Sequence, residues 1–158
     1  VTAALVFPVA ASAEEPKNPT KDESEKAEKS REPAAEPVVI DNEAGLEHLS
    51  RRTTRDVQHL LVVTDPTLRG IVAAERVAEF KNKLESRIEN AHLILNRVPG
   101  ELPAVLRDRV DQLGIPLLGT IPETPEVTEF EFSGRPVIEL PDDSAVYAAV
   151  ANMLQTIL

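Results

Sequence analysis

The chain has 158 residues, a formal net charge of −10 and no cysteine. That length supports one domain of ordinary size. The charge argues against a nucleic-acid surface, which needs a basic stripe, and the lack of cysteine excludes disulfides and thiolate metal sites within the chain.

The apolar fraction is 42%, with four Phe, one Tyr and no Trp. A core must therefore be built from Val, Leu, Ile and Ala, as in parallel sheets covered by helices. No apolar run approaches the length needed to cross a bilayer.

Val1 to Ala13 is small and apolar and ends in Ala11-Ser12-Ala13 before Glu14. It resembles the late part of a secretory signal without the basic start. Glu14 to Pro37 is rich in Glu, Lys, Ser, Ala and Pro. Its apolar content is almost all alanine, too little to offset the entropy of ordering, so residues 1–37 are expected to be a leader and a disordered acidic arm.

From Val38 the pattern alternates between strand and helix. Val38–Asp41 reads as a strand, and Leu46–Asp56 as a polar loop with a short helix. His59–Thr64 is a continuous apolar strand stopped by Asp65-Pro66. Leu68–Arg87 has near-helical spacing of Leu68, Ile71, Val72, Ala74, Val77, Ala78 and Leu84. His92–Asn96 is a third strand. Pro103 opens a helix that Gly114 closes, and Pro116–Ile121 is a fourth strand. Asp142-Asp143-Ser144 caps a last helix running to Leu158. Strands separated by helices imply an α/β fold with a parallel sheet.

In such sheets ligands sit beyond the carboxyl ends of the strands. The residues expected there are Asp41-Asn42-Glu43, Asp65-Pro66, Asn96-Arg97 and Pro122-Glu123. Asp41 suits Mg²⁺ or its water. The Asn96 amide offers both donor and acceptor to a purine edge, and Pro122-Glu123 would flank the base. His59 and His92 fall at strand beginnings, away from these ends, and read as structural. Glu43, Glu47 and His48 form an O/O/N set, but adjacent helical residues do not share a face, so no metal site is assigned. Arg51, Arg52 and Arg55 form a small basic cluster, read as a solvated face or as a contact for phosphate or a partner.

Asp41-Asn42-Glu43-Ala44-Gly45-Leu46-Glu47-His48-Leu49, with the Leu60–Pro66 strand, Leu93–Arg97 and Leu117–Glu123, resembles the CooC-type nickel-insertion ATPases of carbon monoxide dehydrogenase. These are P-loop proteins of the MinD/ParA-like branch. The resemblance covers about Val38 to Leu158, the C-terminal part of such a protein, and its most specific string is Ala44 to Leu49. It implies that Asp41, Glu43 and Gly45 belong to a switch that senses the γ-phosphate. It implies further that Asn96 and Arg97 lie at the adenine, and that Pro122 and Glu123 border the base. ATP and Mg²⁺ are the family's cofactors. A homodimer or a full-length ATPase, and carbon monoxide dehydrogenase, are the implied partners, with no nucleic acid and no membrane.

The chain departs from the family in two ways. Residues 1–37 contain no glycine, so no phosphate loop lies there, and the family's paired cysteines are absent. No catalytic residue is therefore assigned. In related folds the phosphate-loop strand lies beside the strand bearing Asp41, so a gap in the sheet is expected, to be closed or filled by another chain. The first expectation is thus a truncated maturation ATPase, cytoplasmic and inactive alone. A second is a non-catalytic α/β module that docks on a full-length ATPase or its client. A third, from Val1–Ala13, is an exported α/β domain.

Overall fold

A computed structural model describes residues 2–8, 37–42, 56–81 and 87–158. Glu43, Gly45, Glu47, His48, Arg51, Arg52 and Arg55 lie outside the described residues, and so do the bulk of the acidic arm and Leu84.

The elements in chain order are β1 (Thr2–Pro8), β2 (Pro37–Asn42), β3 (Asp56–Thr64), α1 (Leu68–Lys81), β4 (Arg87–Val98), α2 (Ala104–Asp111), β5 (Leu117–Pro122), α3 (Pro125–Ser133), a 3-10 turn (Val137–Glu139) and α4 (Ala145–Ile157). The strands form a five-stranded sheet in the order β2-β1-β3-β4-β5. β3, β4 and β5 are parallel, joined by the helices the apolar spacing predicts. β1 is antiparallel to both β2 and β3. Two reversals restore direction, so β2 runs the same way as β3, β4 and β5.

The expected gap beside the Asp41 strand is thus occupied by the chain's own Thr2–Pro8. This segment, assigned above to a leader, is a strand of the sheet. The Thr-Ala-Ala-Leu-Val-Phe-Pro stretch has few polar side chains, and its backbone groups find partners on both sides. Val6, for example, is in register with Val39 on one side and His59 on the other. Pairing on two flanks satisfies amides and carbonyls that would otherwise form two open edges.

The core lies on both faces of the sheet. On one face, α1 and α2 cover Leu60, Val62, Leu93 and Leu95 with Ile71, Ala74, Val77 and Val110, all nearly inaccessible to water. On the other, α4 lays Met153, Val150 and Ile157 against Leu61, Ile94 and Leu118. The near-continuous apolar runs of β3 and β4 follow from this double coverage.

Helix ends follow local chemistry. Thr67 caps α1, its Oγ1 accepting the Gly70 N–H at 3.0 Å. Ser144 caps α4, its Oγ accepting the Tyr147 N–H at 3.1 Å. Gly114 adopts a left-handed φ of 73° just after α2, as a helix-stopping glycine should.

Two further expectations are revised. β4 spans Arg87–Val98 and is longer than His92–Asn96, so His59 and His92 are interior strand residues rather than strand beginnings. His59 Nδ1 and His92 Nε2 lie 3.1 Å apart, and a structural role fits this contact. The second revision is α3, which falls in a stretch to which no element was assigned above. Its signal was present: Thr124 is the N-cap, Pro125 opens the helix and Gly134 closes it with φ 68°. Cap, first-turn proline and terminal glycine together specify a short helix even where the apolar periodicity is weak.

Candidate functional site

The pairing of β4 and β5 is interrupted near their carboxyl ends. Their register breaks between Leu95 and Val98 and resumes where Val98 pairs with Pro122. Asn96 and Arg97 occupy the break. Arg97 has φ 55°, and among the described residues it alone, glycines apart, has a positive φ. The Asn96 Oδ1 accepts the Arg97 N–H at 3.0 Å, bracing the turned-out peptide. Beyond the break the Glu123 N–H donates to the Val98 carbonyl at 3.0 Å, which seats the start of the loop into α3. Bulges of this kind re-aim side chains beside functional sites.

Beside this break lies a cleft of about 280 Å³. Its apolar walls are Ile121, Pro122, Val127, Val137 and Val146, and its polar groups are Asn96, Arg97, Glu123, Thr124, Thr128 and Glu131. This size is at the small end for ligand sites, enough for a flat ring system rather than a whole nucleoside triphosphate. α3 stands over one side, anchored by buried Phe130. The Arg135 guanidinium caps the Phe130 ring at 4.0 Å from its centroid.

Asn96 is suited to a heteroaromatic edge. After its bond to Arg97, the Oδ1 keeps a second lone pair, and Nδ2 has no partner among the described residues. An amide so placed can accept from an exocyclic amine and donate to a ring nitrogen, the two-bond pattern Asn uses with adenine. The neighbouring Pro122 and the valines of the cleft supply apolar contact.

Four of the residues singled out in the sequence, Asn96, Arg97, Pro122 and Glu123, therefore line one cleft. Asp41 does not join them. Through Ala4, it is level with Leu61, and β1 and β3 stand between β2 and β4. Three inter-strand spacings put the two backbones about 14 Å apart. Asp41 is exposed near the end of β2, but by register it is level with Leu61 and so with His92, four residues short of Asn96 along the strands, and it lies outside the cleft. Residues the sequence reading missed are Val127, Thr128, Glu131, Val137 and Val146, contributed by α3, the 3-10 turn and α4. The cap signals of α3 could have located the first three.

Among the described residues no cluster of three or more His, Asp or Glu forms a metal-binding group, and no helix is long and apolar enough to cross a membrane.

No family model matches the chain. It is 37% identical over 121 residues to the uncharacterized ATP-binding protein MJ0685 of Methanocaldococcus jannaschii, covering 77% of this chain and 48% of that protein. It is 35% identical over 107 residues to a putative septum site-determining protein MinD of Oltmannsiellopsis viridis, covering 64% of this chain and 33% of that protein. The fold matches the crystal structure of a ParA family ATPase from Chlorobium tepidum with a TM-score of 0.50 and 21% identity, over 69% of this chain and 42% of that one. The chain thus spans a third to a half of the length of these relatives. In sequence over that span, and in fold, it is related to the MinD/ParA-like ATP-binding P-loop NTPases.

Proposed function

We propose that the cleft between the ends of β4 and β5 receives the adenine of ATP, and that the chain is the base-recognising portion of a CooC-type maturation ATPase serving nickel insertion into carbon monoxide dehydrogenase. The observation that carries the reading is the Asn96 amide, set beside an apolar slot at the carboxyl end of a parallel sheet, where α/β proteins place their ligands. Similarity to an ATP-binding relative supports it. The CooC assignment rests on the Ala44–Leu49 string, and nickel is cargo rather than a resident metal. In this reading Asp41, Glu43 and Gly45 belong to the switch and Asp41 would hold Mg²⁺ or its water. A carboxylate at a strand end is chemically suited to a hard cation.

Affinity in such sites comes mostly from backbone amides gripping phosphates, and the sequence contains no glycine-rich phosphate loop with its lysine. The cleft should therefore read the base and little else. Titration of the purified chain, followed by NMR, should show weak binding of adenosine, with ATP no tighter, and Asn96→Ala should abolish both. Submillimolar ATP binding far tighter than that of adenosine would refute base-only recognition. Failure of adenosine to perturb Asn96 and Glu123 would refute the cleft itself.

One observation favours the second reading, a docking module. Among the described residues β2 is the outermost strand, and Val38, Val39 and Ile40 are 39%, 57% and 37% exposed. An apolar unpaired edge is a template for strand addition. Co-purification with a full-length ATPase, lost on Val39→Lys, would support it; a body that ignores that ATPase would count against it.

A further inference from the structure

Arg97 and Glu131 both line the cleft, and they are joined across it. The Arg97 Nη2 donates to the Glu131 Oε1 at 3.1 Å. One partner belongs to the break at the end of β4 and the other to the last turn of α3, so the pair bridges the two sides of the opening. Both side chains are more than half exposed, at 61% and 52%. Exposed pairs of this kind are weak and readily exchanged. The arginine, by contrast, is held by its backbone: a left-handed φ of 55° and the Asn96 Oδ1 contact fix where its side chain starts. A guanidinium is flat, permanently charged and binds well to the face of an aromatic ring.

We propose that Glu131 is a counter-ligand that sets the affinity of the cleft by competing with the base for Arg97. Glu131 holds the guanidinium across the mouth, and a base that enters draws it onto its ring face. Arg97 is then the group that touches the ligand, and Glu131 is a positioning residue that acts through it. The inference rests on the base-binding reading of the cleft and adds the residue that regulates it. It also fixes the sign of a salt effect. Added salt screens the Arg97–Glu131 pair while leaving an uncharged nucleoside unaffected, so salt should strengthen adenosine binding.

The test is adenosine titration of the full chain and three variants: Glu131→Gln, Arg97→Ala and the double substitution. Glu131→Gln should raise adenosine affinity about two- to fivefold, the range that the loss of one exposed ion pair allows. Arg97→Ala should lower it. In the Arg97→Ala background, Glu131→Gln should have no effect, because the competitor then has nothing to compete for. A change in affinity that persists in that background would mean that Glu131 acts by shifting α3, and would overturn the proposal. So would an unchanged or weakened affinity in Glu131→Gln alone. Circular dichroism of each variant confirms that the fold is kept. If wild-type chain fails to bind adenosine, the base-binding reading falls and takes this inference with it; if it binds and Glu131→Gln changes nothing, only the inference falls.

Discussion

Gly70 offers the sharpest test of the junction that delivers β3 into α1. Alanine is ordinarily the better helix residue, by about 1 kcal/mol, and Gly70 lies in the first turn of α1 with an ordinary helical backbone. On propensity alone, Gly70→Ala should stabilise. The tertiary structure reverses the sign. A β-carbon at position 70 would lie 2.5 Å from the Thr64 Oγ1, 2.6 Å from the Asp65 carbonyl oxygen and 3.2 Å from the Thr67 Oγ1. The Asp65 oxygen belongs to the backbone of the bend that carries the chain from sheet to helix, so it cannot rotate away. The Thr67 hydroxyl is the α1 cap and accepts the Gly70 N–H, so moving it loosens the helix start. Overpacking of this kind costs about 1–3 kcal/mol. Set against the propensity gain of about 1 kcal/mol, the net loss should reach up to about 2 kcal/mol. Urea denaturation followed by far-UV circular dichroism measures it as a lower midpoint at unchanged slope. Gly70→Ala with a midpoint equal to or above that of the wild type would refute the close approach and the placement of the bend.

Other substitutions probe single features. Arg97→Gly should be about 1 kcal/mol more stable than Arg97→Ala in the same urea assay, because both lose the ion pair to Glu131 but only glycine adopts φ 55° without strain; at an ordinary position the order would be reversed. Ser144→Ala should destabilise by about 1 kcal/mol, since the buried Ser144 hydroxyl caps the helix that covers one face of the sheet, and an unchanged thermal midpoint would contradict that role.

Much of the fold was legible because one-dimensional signals were strong and unopposed. The runs Leu60–Val63 and Leu93–Leu95 are apolar without alternation, and only strands covered on both faces are written that way. Leu68, Ile71, Ala74 and Val77 repeat at helical spacing, and Pro103, Gly114 and Ser144 mark helix ends by backbone chemistry that needs no tertiary partner. Asn96 and Pro122 could be nominated as neighbours because parallel strands bring their carboxyl ends to one edge.

Other features depend on contacts between segments far apart in sequence. Thr2–Pro8 is a short apolar stretch whose local pattern suits a leader as well as a strand. What makes it a strand is the pair of flanks, β2 and β3, that it finds in space. The break at Asn96-Arg97 comes from a register mismatch between β4 and β5, and no residue in either strand announces it. The distance of Asp41 from the cleft is set by strand order, which the sequence pattern leaves open. Glu131 reaches Arg97 only because α3 folds back over the end of β4. Local backbone preference and apolar spacing thus determined the elements from the sequence alone. Pairing of backbone groups across the sheet, a non-local energy, decided which strand fills the place between β2 and β3 and which side chains meet at the cleft.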